Sequence, residues 1–125
     1  MSPSLILAVA SGGLVGAPCR YLLDRAVSRR IVSDLPWGTF VVNMSGCLAL
    51  GLLTGLDLAH HVPAVLMALI GVGFCGAYTT FSTFNFETVQ LFEEGHILEA
   101  AANVVASVVV GLAIAGAGVA IGLAL

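Results

Sequence analysis

The sequence predicts an all-α membrane protein of four transmembrane helices, and three observations carry that prediction. Of 125 residues, 59% are hydrophobic and only 9% are charged, and the mean hydropathy is +1.09. A soluble domain of this size needs charge on roughly a quarter of its residues, so the outer surface of this one must face lipid. The apolar residues fall into four long runs, each near the roughly 20 residues that a membrane helix requires. The third observation is where the charge lies. There is no lysine; the arginines are Arg20, Arg25, Arg29 and Arg30, and most charged residues flank the apolar runs.

The first span is expected over residues 5–23. No basic segment precedes it, so it reads as a retained span and not a cleavable signal. Gly12 and Gly16 stand four apart, a spacing that lets helix backbones approach closely in lipid. Residues 24–36 then form the polar loop of greatest size, carrying Arg25, Arg29 and Arg30.

Residues 37–56 form the second span. It opens on Trp37, whose amphipathic ring suits the interface, and carries Gly38, Gly46, Gly51 and Gly55 for close packing. Asn43 is its most polar member, with Thr39 one turn earlier. An amide there can glue helices together or donate to an anion, and spacing leaves the two roles open. A short turn over 57–61 follows, and Pro63 fits the first turn of the next helix.

The third stretch, residues 62–92, is too long for one regular span. As a continuous helix it would reach roughly 46 Å, against about 30 Å of hydrocarbon. Its middle carries Gly71, Gly73 and Gly76, followed by hydroxyls at Tyr78, Thr79, Thr80, Ser82 and Thr83. Each glycine weakens a helix by about 1 kcal/mol relative to alanine, and hydroxyls can satisfy backbone groups that a break frees. These features predict an interruption near residues 76–79. Irregular backbone at membrane depth is tolerated only where protein or a polar cavity covers it, and such breaks commonly bind ions. Beyond it, Phe81 and Phe84 share one helix face. Their ring edges are electropositive, although two core aromatics would show the same spacing.

The fourth span covers residues 97–125, where Asn103 and Ser107 lie one turn apart on one face. Cys19, Cys47 and Cys75 are odd in number and sit within apolar runs, so they read as packing residues without a disulfide. His60, His61 and His96 have no ligand-spaced partners. Arg20 can snorkel to the interface or set a positive potential for an anion, Glu87 can pair with an arginine of another helix, and sequence alone leaves both roles open. No catalytic triad or phosphate-binding loop is present, and no nucleic-acid-binding segment is left over. The chain reads as a single transmembrane domain without enzymatic chemistry.

Three patterns resemble the CrcB, or Fluc, fluoride channels. They are Gly12-Gly13-x-x-Gly16-Ala17-x-x-Arg20-Tyr21, Gly38-Thr39-x-x-Val42-Asn43-x-x-Gly46, and the continuous run of residues 73–84 that ends Thr79-Thr80-Phe81-Ser82-Thr83-Phe84. The resemblance spans the whole chain. It implies a passive fluoride exporter of the cell membrane built as an antiparallel, dual-topology dimer. It also implies a central structural Na⁺ held by the carbonyls of Gly76 and Thr79. Fluoride would pass Phe81, Phe84, Asn43, Ser82 and Thr83, with Arg20 at the vestibule. Ala77 and Tyr78 depart from the smaller or aliphatic residues usual in the family. The arginines of the loop weight one side of the membrane, so the implied partner is a second copy or an oppositely oriented homologue. The alternative is a small multidrug-type four-helix exporter. That class needs a carboxylate in its first span, where no acid precedes Asp24.

Overall fold

The computed structural model describes residues 2–125, and every regular element among them is helical. Helix α1 spans Pro3–Arg30, and α2 spans Trp37–His60. Helix α3 covers residues 64–78 in three pieces: a turn at Ala64–Leu66, a π-helical stretch at Met67–Cys75, and a last turn at Gly76–Tyr78. Helix α4 spans Phe81–Glu93, and α5 spans Ile97–Ala124. Taken as spans, Pro3–Arg30, Trp37–His60, Ala64–Glu93 and Ile97–Ala124 are long and apolar enough to cross a bilayer. The protein is a multi-pass membrane protein.

Helix α1 continues past residue 23 to Arg30, so the arginine-rich segment is the last two turns of a helix and not a loop. Local side-chain pairs explain the extension: the Arg25 guanidinium donates to the Tyr21 hydroxyl at 2.6 Å, and Ser28 donates to Asp24 at 3.3 Å, each one turn apart. Arg29 and Arg30 also lie where the helix dipole favours cations. Helix α2 likewise runs beyond residue 56. It ends at His61, in the left-handed region (φ 56°), where the Asp57 side chain accepts from the Val62 N–H at 2.9 Å. The predicted turn over 57–61 is thus mostly helical, and the true connection is residues 61–63.

Glycines set the packing. The most extensive interfaces pair α2 with α5 and α1 with α3. In the first, Gly51 and Gly55 of α2 face the carbonyls of Ala115 and Val119, while Gly118 and Gly122 of α5 face those of Leu48 and Leu52. In the second, Gly12 and Gly16 meet the carbonyls of Leu69 and Phe74, and a Cβ at Gly73 would stand 2.5 Å from the Val9 carbonyl. Backbones this close gain dispersion and weak Cα–H contacts that hydrophobicity cannot supply in lipid. Large apolar side chains point outward instead, with Leu98 at 82% exposure, as a lipid-facing surface requires.

Candidate functional site

Two residues between α3 and α4 leave helical geometry. Thr79 (φ −78°, ψ 158°) and Thr80 (φ −144°, ψ 123°) are extended. Gly76, expected inside the irregular segment, is helical (φ −64°, ψ −36°), and the departure from α geometry begins earlier, in the π-helical stretch that holds Gly71 and Gly73. Glycine adds no side chain to crowd that wider turn.

Helix α2 accounts for the backbone groups that the extension frees. The Asn43 amide donates to the Thr80 carbonyl at 2.9 Å and accepts from the Thr80 N–H at 2.8 Å. It therefore copies a strand-like pairing from within a helix. On the near side, the N–H and the hydroxyl of Thr79 both donate to the Cys75 carbonyl, at 2.9 and 2.8 Å. Because the Thr80 N–H goes to Asn43, the Gly76 carbonyl loses the donor that an unbroken helix would give it. On the far side, Thr80 caps α4: its Oγ1 accepts from the Thr83 N–H at 3.2 Å and donates to the Thr83 hydroxyl at 3.0 Å. A cap of this kind satisfies an orphan N–H at the start of a helix.

A cavity of about 400 Å³ opens beside the extended pair, lined by Asn43, Gly76, Thr79, Thr80, Phe81, Phe84 and, from α5, Ser107. Five of the residues singled out from sequence thus meet in one place. The Phe81 and Phe84 rings lie 6.0 Å apart with 31° between their planes. Phe81 is 75% exposed despite lining the cavity, so that side of the cavity is open. Arg20 and Thr83 line a smaller cavity of about 80 Å³ with Asp24, Thr39 and Thr80. Thr80 borders both. Ser82 lines neither, and its hydroxyl approaches Thr80 Oγ1 at 3.4 Å. Glu87 bonds Thr39, whose hydroxyl donates at 3.0 Å, and not an arginine; its second oxygen is buried without a partner among the described residues.

Sequence reasoning passed over Thr80 and Ser107. The Thr80–Thr83 spacing is a capping signal that could have marked the first. Ser107 was noted only for sharing a face with Asn103, which instead leaves the cavity to donate to Thr88 at 2.8 Å.

Residues 7–119 match the family model described as CrcB-like protein, Camphor Resistance (CrcB). The chain belongs to the CrcB family. Among its relatives, the "Fluoride-specific ion channel FluC 1" of Streptomyces avermitilis is 52% identical over 113 residues, covering 90% of this chain and 91% of that one. The protein of the same name from Frankia casuarinae is 46% identical over 120 residues, covering 92% and 93%. That from Nitrobacter hamburgensis is 42% identical over 119 residues, covering 93% and 94%. The CrcB match takes in every residue of the large cavity.

Proposed function

We propose that the protein is a fluoride-selective passive channel of the cell membrane that relieves fluoride toxicity, and that the cavity beside Thr79 and Thr80 lies on its ion path. The observation that carries this reading is the lining itself: an amide, hydroxyls and two phenylalanine rings, with no carboxylate, in a CrcB chain whose relatives are named fluoride channels. Fluoride is small and strongly hydrated, so a pore must replace its water with donors and electropositive ring edges while holding it weakly enough for release. Phe81, Phe84 and Asn43 supply such groups in the cavity wall. Thr83 supplies one in the smaller cavity, where Arg20 adds a positive potential at the vestibule, and Ser82 lies beside Thr80, which borders both. Hydrogen fluoride enters cells as the neutral acid and ionises inside. An inside-negative potential then drives the anion out without a coupled step. The multidrug-exporter alternative draws no support from the family match.

In this reading the extended pair is a mid-membrane helix interruption, and the site is completed by an antiparallel partner that covers Gly76 and Phe81, both exposed here. A structural Na⁺ at the centre of such a dimer fits the residues present. The Gly76 carbonyl lacks its helical donor, and Gly76 has open space around it. Among the described residues no side-chain cluster suits a metal, so carbonyls of Gly76 and Thr79 are the groups that would hold the ion. Its charge would offset the carbonyl dipoles at the interruption.

Chain order places the end of α1, residues 31–36, the end of α4 and the start of α5 at one end of the bundle. All four arginines belong to that end, and the other end has none. Positive charge near short loops fixes orientation, which favours one insertion for this chain and an oppositely inserted homologue, over a second copy, as partner. The test of the channel reading is fluoride efflux from liposomes holding the purified protein, read with a fluoride electrode. Absence of efflux, or chloride flux of equal size, would overturn it.

A further inference from the structure

Thr79 is held between two attachments to α2, and only the later one, Asn43 to Thr80, involves a residue already placed on the ion path. The earlier attachment is Tyr78. Its ring is buried and stacked on Phe74, with centroids 5.3 Å apart and 14° between planes. Its hydroxyl lies 2.7 Å from Ser45 Oγ on α2. Ser45 spends its own proton on the carbonyls of Val41 and Val42, at 2.8 and 2.9 Å. With the Ser45 proton directed to those carbonyls, its Oγ is left to accept from the Tyr78 hydroxyl. Between the two attachments the Thr79 methyl fills the notch at Gly46.

The brace matters because of what it ends. Gly76–Tyr78 is a single helical turn between a π-helical stretch and an extended pair. One turn of helix has almost no stability of its own, and Gly76 weakens it further. Stacking on Phe74 fixes the plane of the Tyr78 ring, and the bond to Ser45 fixes the ring's far end. Together they set where α3 stops and where Thr79 begins.

We propose that Tyr78 is a positioning residue: by donating to Ser45 it pins the last turn of α3 to α2 and so holds Thr79 in the cavity wall. The functional arm of this inference rests on the channel reading above. Tyr78→Phe keeps the ring and its stack and removes only the hydroxyl; Ser45→Ala removes the acceptor.

The test uses the full chain in liposomes, with each single variant and the double variant compared at matched folded fraction. Amide hydrogen exchange over residues 76–84 should quicken about fivefold in Tyr78→Phe, and fluoride efflux per folded protein should fall by a similar factor, as loss of one buried bond implies. The double variant should be no worse than either single, because both remove one interaction. A residue that only fills space would leave exchange and flux unmoved when its hydroxyl is removed. Unchanged exchange in Tyr78→Phe, or effects that add in the double variant, would overturn the inference, as would unchanged flux with a conducting parent. If the parent conducts no fluoride the channel reading fails, and exchange together with the double-variant comparison still decides the brace. Should Tyr78→Phe not fold, Ser45→Ala carries the same comparison.

Discussion

Asn43 gives the sharpest quantitative expectation, because one side chain holds both backbone groups of one residue. In Asn43→Leu the volume is nearly kept, so lost packing contributes little, while both bonds to Thr80 vanish. Each buried bond contributes about 1 kcal/mol net, and a stranded buried group costs about 1–3 kcal/mol. Thr80 is only 8% exposed, so bulk water cannot replace the amide. The adjoining cavity of about 400 Å³ is roomy enough for water to reach one of the two groups, which pulls the sum toward the lower half. The expected loss is about 2–4 kcal/mol, measured as reversible unfolding of the full chain by SDS titration in mixed micelles. Exchange at Thr80 and Phe81 should rise with it. A variant within about 0.5 kcal/mol of the parent, the range of a neutral surface change, would refute the claim that α2 holds the extended pair in place.

Phe81→Ile and Phe84→Ile should each cut fluoride efflux severalfold while the protein stays folded; unchanged flux in both would mean that the rings only fill space. Gly118→Ala and Gly116→Ala form a matched pair on α5. A Cβ at Gly118 would stand 2.7 Å from the Leu48 carbonyl, whereas at Gly116 it meets nothing within 4 Å, so the first should lose about 2 kcal/mol or more and the second should gain up to about 1 kcal/mol in the same titration. Replacing Na⁺ with a bulky organic cation should lower the melting temperature of the assembled protein; a curve indifferent to the cation would remove the sodium proposal. The end of α5 lies at the end without arginines, so an alkaline phosphatase fused after it should be active outside the cytoplasm and a fluorescent-protein fusion there dark. Equal signals from both fusions would indicate dual insertion and a homodimer.

Much of this was legible in the sequence because lipid simplifies the code. Four apolar runs predict four spans, and the structure has four helices able to cross a membrane. Boundaries were less legible. Arginine and aspartate read as loop, yet Asp24 and Arg25 lie on α1, because a helix about 42 Å long at 1.5 Å per residue can carry its charged turns beyond the hydrocarbon. The glycine and hydroxyl content of residues 71–83 marks the stretch that contains the extended Thr79 and Thr80. It could not say that the extended residues are Thr79 and Thr80 and not Gly76, because the Thr80 N–H is claimed by Asn43, 37 residues earlier in the chain. Nor could any local pattern pair Tyr78 with Ser45. Side-chain partners across helices are fixed by rotation and register, and composition is blind to both.

The two glycine interfaces also explain where the site had to form. Pairing α1 with α3 and α2 with α5 through backbone contacts yields two closely packed units, since glycines facing carbonyls let the helix backbones approach. The seam between the units is where α2 meets α1, α3 and α4, and contact there is sparser than within either unit. Polar side chains bridge it at three places: Asn43 on Thr80, Ser45 on Tyr78 and Thr39 on Glu87. In lipid, a seam of this kind is stable only if each polar group finds a partner or lines a wet cavity. The extended pair meets that condition by giving its freed N–H and carbonyl to α2, and the space that α2 does not fill becomes the cavity. A third helix without the extended pair would have closed its own hydrogen bonds and left Asn43 without its bonds to Thr80.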